Sequence, residues 1–387
     1  MKISKKILLL QMCVIIWQNV CSQNTSRPIT FSIKELPKVS NLKLSELGFT
    51  DIDYIPLETN EKSLVKRITD IKICEDFFLI QYYTAILKFK TDGKFVTKIG
   101  TVGRGPNEFT VIHDVDIDEK NRRIYLVSGW QRKFFVYSEN GKFIRTIQCP
   151  LNTTQFRVTE DGLLCYSINS FANIVTSFNL IDSTGRIIKR FPNKYPFKAP
   201  KGRFLVFIFE NLFYKHNNQL FKKEIYSDTI YSFEKSSFKP YAVIDQGKRL
   251  ITPKVRSTLI PDQIAENYFQ QQKLFEFGDY IYYEFLINGN LFGLIGSKKK
   301  NLTMIIDPKK GIYNDVDSGP NIWPRAEKGD DTLISWIDAI ELKNYVASEK
   351  FKKSVPKYPE KKKELEKLAN NLKETDNPIL ILVKLNE

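Results

Sequence analysis

The segment ILKFKTDGKFVTKI (86–99) decides the fold, because it recurs twice more along the chain. It aligns without gaps to FFVYSENGKFIRTI (134–147) and to FNLIDSTGRIIKRF (178–191). Each copy combines a strand, a short turn ending in glycine and a second strand, since tight hairpin turns need a positive φ angle that glycine adopts freely. The turn glycines, 48 and 44 residues apart, are Gly93, Gly141 and Gly185. The segment is therefore one hairpin of a structural repeat.

A second pair of strands precedes the hairpin. In HDVDIDEKNRRIYLVS (113–128), Val115 and Ile117 alternate with aspartates, and the chain turns near Asn121 before a second apolar run. One copy is thus four antiparallel strands in about 45 residues, which is the period of a propeller blade. The aromatic content of 13% also favours a β-rich protein. We predict an all-β fold, a β-propeller of four-stranded antiparallel blades.

Weaker copies set the number of blades. LTMIIDPKKGIYNDV (302–316) resembles the same hairpin with one extra turn residue before Gly311. EIYSDTIYSFEKSSFKPYAVID (224–245) supplies another strand–turn–strand unit, and DTLISWIDAIELKNYV (331–346) is predicted to supply a further strand pair. Six blades from about Thr50 to the C-terminus account for the length, and the count leaves five or seven blades open.

The C-terminal segment predicts how the ring closes. YPEKKKELEKLANNLK (358–373) places leucines on one helical face, so a short helix is expected there. A strand over 378–385 follows and has no hairpin partner of its own. We predict that it completes a blade with an N-terminal strand near ITFSI (29–33) or IDYIPL (52–57).

The N-terminus has the features of a secretory signal peptide. Three lysines precede an apolar stretch of eleven residues (7–17), which is too short to span a bilayer as a helix. We predict a signal peptide over 1–22 and export to the periplasm or the outer cell surface, with a lipid anchor at Cys21 as the alternative. An N-terminal extension (23–48) and the propeller (49–387) follow, without a transmembrane segment.

Cysteine content and charge limit the class of protein. The three cysteines beyond the predicted signal exclude a disulfide scaffold and are expected to be small buried hydrophobic residues: Cys74, Cys149 and Cys165. The formal net charge of +15 suits contact with acidic glycans or envelope surfaces. The charge is spread along the chain, and an exported protein without a recognition module is not expected to bind nucleic acid.

The glycine-rich stretch GTVGRGPNEF (100–109) raises the question of a phosphate-binding loop. Such a loop needs a helix N-terminus behind it and, in its Walker form, a following Lys-Ser/Thr pair. This stretch lies instead between the outer strand of one repeat and the first strand of the next. We interpret it as the connection that returns the chain from the rim of the propeller to its axis.

Four short motifs give a family resemblance. In chain order they are IPLET (55–59), GRGPNEF (103–109), SDTIY (227–231) and NPILILVKL (377–385). Together with the repeat, the chain resembles NHL-repeat propellers and, more closely, six-bladed β-propeller proteins exported by Gram-negative bacteria. Asn107 departs from the glycine usual in that family. The resemblance implies the six-bladed fold, but it carries no reaction and no catalytic residues.

The sequence offers little that points to catalysis. Its two histidines, His113 and His216, are too few for a zinc site built on several histidines. The carboxylates of DVDIDE (114–119) lack the glycine and the glutamate that an EF-hand loop requires. They are predicted to line a surface or to cap the turn at 118–122. No catalytic residue, metal ligand or cofactor is predicted, although single carboxylates from several blades could hold one divalent cation on the axis.

We therefore predict a non-enzymatic binding or scaffold propeller that acts as a monomer. Its ligand is expected to be a glycan, a peptide or a protein partner of the cell envelope. The candidate binding residues at the channel mouth are Arg104, Glu108, His113 and Trp130. The alternative is a lyase or hydrolase with an axial metal or carboxylate site in the channel.

Overall fold

The computed structural model describes residues 28–35, 38–82, 85–199, 206–307 and 309–385. They form six β-sheets arranged as the blades of a propeller, and each contains four antiparallel strands. The innermost strand of the last blade contacts that of the first, so the ring is closed. The predicted six-bladed, all-β fold is confirmed. The predicted signal peptide and the alternative anchor at Cys21 lie outside the described residues.

Blades 1 to 3 follow one another along the chain, each from its innermost to its outermost strand. Three N-terminal strands precede them: β1 (Ile29–Ser32), β2 (Val39–Ser40) and β3 (Phe49–Pro56). Blade 1 contains β4 (Asp70–Ile73), β5 (Phe77–Tyr82), β6 (Ala85–Lys90) and β7 (Phe95–Ile99). Blade 2 contains β8 (Asp114–Asp118), β9 (Arg123–Ser128), β10 (Lys133–Ser138) and β11 (Phe143–Gln148). Blade 3 contains β12 (Thr153–Thr159), β13 (Gly162–Ser167), β14 (Thr176–Ile181) and β15 (Ile187–Pro192).

Blades 4 to 6 recruit the N-terminal strands. Blade 4 contains β16 (Asn211–His216), β17 (Gln219–Glu224), β18 (Thr229–Glu234) and β19 (Ser237–Asp245), and β1 adds a parallel fifth strand. Blade 5 contains β20 (Gln270–Phe277), β21 (Tyr280–Ile287), β22 (Asn290–Ser297) and β23 (Leu302–Ile306), with β2 as its fifth strand. Blade 6 contains β24 (Ala326–Lys328), β25 (Thr332–Ile337), β26 (Ile379–Leu385) and then β3.

Ring closure joins the two ends of the chain in blade 6. Strand β26 pairs antiparallel with β3, with Ile381 opposite Tyr54, and with β25 on its other side. The predicted closing strand is therefore confirmed, and its partner is the IDYIPL segment. The ITFSI segment instead forms β1 and extends blade 4. Closure in this way pairs β26 on both of its edges and makes β3 the outermost strand of the blade.

Two of the weaker repeat assignments are wrong. The 302–316 segment is not a hairpin of strands 3 and 4, because β23 pairs back with β22 and Gly311 lies in the connection to blade 6. In the 331–346 segment only β25 is a strand, and a helix follows it. The reason is visible in the spacing of Ala339, Leu342 and Val346, which places three buried side chains on one helical face.

In the part of the chain that the structure describes, five α-helices interrupt the propeller in two places. Helices α1 (Pro253–Thr258) and α2 (Pro261–Asn267) lie between blades 4 and 5. Helices α3 (Ala339–Ala347), α4 (Glu349–Lys353) and α5 (Pro359–Asn371) lie between β25 and β26. Short 3-10 turns occur at Ser45–Leu47 and Gly247–Arg249. Within the described residues, no helix is long and apolar enough to cross a membrane.

The repeated turn glycines have two roles. Gly93, Gly141 and Gly185 have φ angles of 85°, 80° and 91°, as the hairpin pattern predicts. Each also lies against the outer strand of the preceding blade. A Cβ atom on Gly93 would lie 2.1 Å from the carbonyl oxygen of Pro56, and one on Gly185 would lie 2.6 Å from that of Gln148. The glycines therefore shape the hairpin and allow neighbouring blades to pack.

Antiparallel pairing places all long connections on one face of the ring. Inner strands start there, and second strands end there. We call it the connection face, and it comprises 57–69, 100–113, 149–152, 193–199, 206–210, 246–269 and 309–325 between blades and 129–132, 168–175, 225–228, 288–289 and 338–378 within them. The opposite face carries short turns. Because long loops on a rigid scaffold usually carry binding residues, the connection face is the first place to look for a site.

The three cysteines of the propeller are buried and free, as predicted. Burial raises the pKa of each thiol, that of Cys149 to about 11. Their thiols therefore stay protonated near neutral pH and pack as small hydrophobic groups.

Candidate functional site

Charged side chains from all six inner strands line the axis of the propeller. They comprise four carboxylates and four cations, with the three consecutive blades 3, 4 and 5 contributing only cations. The carboxylates are Asp70, Asp114, Asp116 and Glu327, and the cations are Lys72, Arg157, Lys215 and Lys273. Such a channel differs both from a cluster of carboxylates and from an apolar pore.

Most axial carboxylates have specific partners. Lys72 Nζ lies 3.0 Å from Asp70 Oδ2, and Arg157 Nη1 lies 2.7 Å from Asp114 Oδ2. Asp116 Oδ2 accepts a hydrogen bond of 2.7 Å from the backbone N–H of Val158 and lies 3.5 Å from Lys215 Nζ. Asp114 and Asp116 therefore connect blade 2 to blades 3 and 4.

The structural interpretation of DVDIDE is confirmed. Asp114 and Asp116 line the axis, and Asp118 accepts the backbone N–H of Asn121 in the turn that it caps. Burial raises the pKa of Asp116, but the nearby cations, Lys215 first, and the backbone N–H of Val158 together lower it by more, so the net pKa lies below its ordinary value. Asp116 is therefore ionised at neutral pH. Among the described residues, no group of three or more His, Cys, Asp or Glu is arranged to hold a metal ion.

Glu327 is the exception in the channel. Its side chain is half-buried, and burial raises its pKa to about 8, although Lys72, Lys273 and Arg157 act in the opposite direction. Lys273 donates a hydrogen bond of 2.7 Å to the carbonyl oxygen of Arg325. Near neutral pH the axis therefore combines ionised pairs with one carboxyl group that is largely protonated.

A cavity of about 560 Å³ opens on the connection face where blades 2, 3 and 4 meet. Blade 2 contributes the segment before β8 and the turn after β9, blade 3 the start of β12 and the turn after β13, and blade 4 the segment before β16. The lining residues are His113, Gly129, Trp130, Asn152, Thr153, Thr154, Gln155, Ile168, Ser170, Phe171, Val206, Ile208 and Phe209. This volume suits a small ligand or a side-chain anchor.

His113 and Trp130 form one wall of this cavity. His113 Nδ1 accepts a hydrogen bond of 3.1 Å from the backbone N–H of Gly129, and its ring meets that of Trp130 edge to face at 5.6 Å. Burial lowers the pKa of His113, so the imidazole is neutral at neutral pH. Trp130 is 78% exposed, which is unusual for the largest apolar side chain and typical of a recognition surface.

A buried polar cluster supports the floor of the cavity. Glu210 follows the lining residues Val206, Ile208 and Phe209 and forms an ion pair with Arg256 of α1. Its carboxylate also accepts hydrogen bonds from the hydroxyls of Tyr166, at 2.9 Å, and Tyr226, at 2.7 Å. Because Glu210 and Arg256 are almost fully buried, the pair fixes the segment that precedes β16 against blade 3.

Arg104 and Glu108 lie on the same face but outside the cavity lining. Glu108 Oε2 accepts a hydrogen bond of 2.8 Å from the backbone N–H of Gly105, so its carboxylate folds back on its own loop. Gln131 Nε2 donates to the carbonyl oxygen of Glu108 at 3.1 Å, which ties this loop to the turn that carries Trp130. Arg104 is exposed beside it.

Apart from Trp130, the aromatic and aliphatic part of the lining was not predicted from the sequence. Phe171 lies in the turn after β13, and Ile208 and Phe209 lie in the connection to blade 4. The run FLVFIFENLF (204–213) has the composition of a buried strand, but strand β16 begins only at Asn211. The apolar residues that precede Asn211 in this run were the signal that the sequence offered.

A second cavity of about 560 Å³ lies on the opposite face between blades 6 and 1. Asp53, Glu75, Glu119 and Asp331 line it together with two lysines. Lys384 Nζ lies 2.6 Å from Asp53 Oδ2, so part of this charge is already paired. Strand ends and short turns form this cavity, and its apolar surface is smaller than that of the first, which remains the better candidate.

A family model described as "Domain of unknown function (DUF4934)" matches residues 28–384. The chain belongs to the DUF4934 family. The match spans all six blades and both strands that close the ring. No curated protein matches the DUF4934 chain by sequence.

Solved structures resemble this DUF4934 protein over nearly its whole length. A crystal structure from Bacteroides fragilis, described as that of an exported protein, has a TM-score of 0.70 at 19% identity and covers 93% of this chain and 100% of that one. A member of the DUF4221 family from Bacteroides vulgatus has a TM-score of 0.52 at 10% identity, with 87% and 97% covered. At such identities the likeness shows the fold alone.

Proposed function

We propose that this DUF4934 protein is an exported, non-enzymatic binding propeller that captures its ligand in the cavity of the connection face. The observation that carries the proposal is the exposed aromatic and aliphatic lining, with Trp130 and Ile208 78% and 76% exposed. Soluble proteins seldom expose several large apolar side chains around one cavity unless the surface binds something. The rigid blades hold this lining in place without a ligand, as preformed sites require.

The ligand classes are a peptide, a protein of the cell envelope or a glycan. The apolar lining supports a peptide or protein that inserts an apolar side chain, while Trp130 is suited to stacking on a sugar ring. Export to the periplasm or the outer surface is supported by the predicted signal peptide and by the description of the Bacteroides fragilis neighbour. The protein is proposed to act as a monomer.

The alternative function is a lyase or hydrolase that uses the axial channel. Glu327 favours it, because a carboxyl group with a pKa of about 8 is suited to proton transfer near neutral pH. The ionic pairing of Asp114 and Asp116 argues against it, since these carboxylates are already engaged by Arg157, Lys215 and backbone N–H groups. The binding function is therefore the stronger proposal.

A thermal-shift screen of the purified protein tests the proposal. The panel contains acidic and neutral glycans, a library of synthetic peptides, and divalent metals with and without chelator. A ligand that binds the native state raises the melting temperature by mass action. We expect a shift with at least one peptide or glycan, independent of chelator, and loss of that shift in Trp130→Ala and Ile208→Asp.

Two controls separate binding from catalysis. Mass spectrometry of the recovered ligand should show an unchanged molecule, and Glu327→Gln should leave the thermal shift intact. Consumption of the ligand, or a shift that requires metal and disappears in Glu327→Gln, would contradict the binding proposal and support the axial enzyme.

A further inference from the structure

The described residues that line the connection-face cavity carry no formal charge. Among the described residues that form it there is no Lys, Arg, Asp or Glu, although charged residues make up 27% of the chain. The titratable group in this lining is His113, whose pKa burial lowers below 6.5. The nearby charges of Glu210 and Arg256 are buried and neutralise each other behind the lining.

Three polar side chains of the lining form hydrogen bonds within the protein. Thr153 Oγ1 donates a hydrogen bond of 2.8 Å to the carbonyl oxygen of Pro150, and Gln155 Oε1 accepts one of 3.1 Å from Asn211 Nδ2. His113 Nδ1 accepts the N–H of Gly129. These three side chains are therefore less available to a ligand, and exposed rings and aliphatic side chains supply a large part of the lining.

From this surface we infer that the cavity selects an uncharged aromatic group and rejects the same group when it carries a charge. The inference rests on the proposed binding function of the cavity and names the chemistry that it recognises. An ion entering the cavity would lose its hydration without gaining a counter-ion. A neutral ring would bury apolar surface and meet Trp130 and Phe171 edge to face or offset.

Two fluorescent probes with one carbon skeleton test the inference directly. N-phenyl-1-naphthylamine is neutral, and 8-anilino-1-naphthalenesulfonate adds a sulfonate to the same rings. Fluorescence titration of the purified protein should give saturable binding of the neutral probe at one site per chain. The sulfonate should bind at least tenfold more weakly, although the net charge of +15 favours anions over the surface as a whole.

Substitutions locate the binding. Ile208→Asp places a charge in the lining and should lower the affinity for the neutral probe at least tenfold. Trp130→Ala should lower that affinity about three- to tenfold. Both side chains are mostly exposed, so neither change should impair folding. The matched control is Val355→Asp, which changes a valine that is 91% exposed in the helical insertion and should leave binding unchanged.

The outcomes separate this inference from the function on which it rests. The inference would be overturned if both cavity variants bound the neutral probe as tightly as the wild type. It would also be overturned if Val355→Asp weakened binding of the neutral probe as much as the cavity variants do. Sulfonate affinity within threefold of that of the neutral probe would also overturn it. If the neutral probe binds in the cavity while the peptide and glycan screen is silent, the selectivity for uncharged rings stands and the proposed ligand classes fail.

Discussion

Asn377 shows how a family motif acts at the scale of one residue. Its side-chain oxygen accepts the backbone N–H of Val65 at 2.8 Å, and its amide donates to the carbonyl oxygens of Glu58 and Ser63 at 2.7 Å each. Glu58 belongs to IPLET, and Asn377 begins the NPILILVKL motif. The two motifs at opposite ends of the sequence therefore meet where the ring closes, and their role is structural.

Replacing this residue should destabilise the whole propeller. In Asn377→Ala the buried N–H of Val65 and two carbonyl oxygens lose their partner, and each unsatisfied group costs about 1–3 kcal/mol. Because some of these groups can regain water, we expect a loss of about 2–4 kcal/mol in the free energy of unfolding, measured by urea denaturation. Asn121→Ala, in an exposed turn, is the control and should cost less than about 1 kcal/mol. Equal losses in the two variants would show that the ring junction is not specially dependent on Asn377.

His113, in the cavity wall, should make the stability of the folded protein sensitive to acid. Its pKa is ordinarily 6.5 and burial lowers it in the folded protein. Below pH 6.5 the unfolded chain therefore binds a proton that the folded state does not, so stability falls as the pH drops. We expect the melting temperature of the wild type to decrease more steeply between pH 7.5 and pH 5 than that of His113→Gln. His216 also has a lowered pKa but is present in both proteins, so it cancels. If the melting temperatures of the two proteins fell in parallel, the lowered pKa of His113 would be contradicted.

At the scale of elements, local patterns predicted some parts well and others badly. The three hairpins with turn glycines were predictable because strand alternation and positive φ are encoded within about fifteen residues. The 302–316 and 331–346 segments were wrongly predicted to form strand pairs. A turn glycine, and a run in which apolar and polar residues alternate, occur in hairpins and in other connections alike. Pairing with distant strands decides between them, and a single sequence does not display that pairing.

Gly93 and Gly289 separate the two roles of a turn glycine. Both have positive φ angles, of 85° and 69°, but a Cβ on Gly93 would clash with Pro56, whereas one on Gly289 would meet nothing within 4 Å. Gly289→Ala should cost about 1–2 kcal/mol, which is the strain of the left-handed region. Gly93→Ala should cost more, because blade 1 must also move away from blade 6. Chemical denaturation of both variants measures the difference, and similar losses would mean that the blades yield easily.

At the scale of the whole molecule, the fold was accessible from the sequence and the site only in part. The sequence predicts His113 and Trp130 as binding residues at the channel mouth, and both lie in the wall of the connection-face cavity. Arg104 and Glu108 share the face but not the lining. Phe171 and Ile208 come from other blades and meet the first two only when the ring closes. No local pattern encodes that meeting, nor the cancellation of charge along the axis.

The axial channel gives the last prediction, because its charges come from every blade. The pKa of Glu327 is raised from 4.5 to about 8 by burial, against the influence of Lys72, Lys273 and Arg157. Between pH 4.5 and pH 8 the folded protein thus holds a proton that the unfolded chain has released, and stability falls as the pH rises through this range. Glu327→Gln removes the ionisation, so its melting temperature should exceed that of the wild type at pH 9 and differ little at pH 4.5. Glu119→Gln, at an exposed carboxylate, should show no such dependence on pH. A Glu327→Gln difference that is the same at both pH values would mean that water screens the channel, and Glu327 would lose its suitability for proton transfer together with the main support for the axial enzyme.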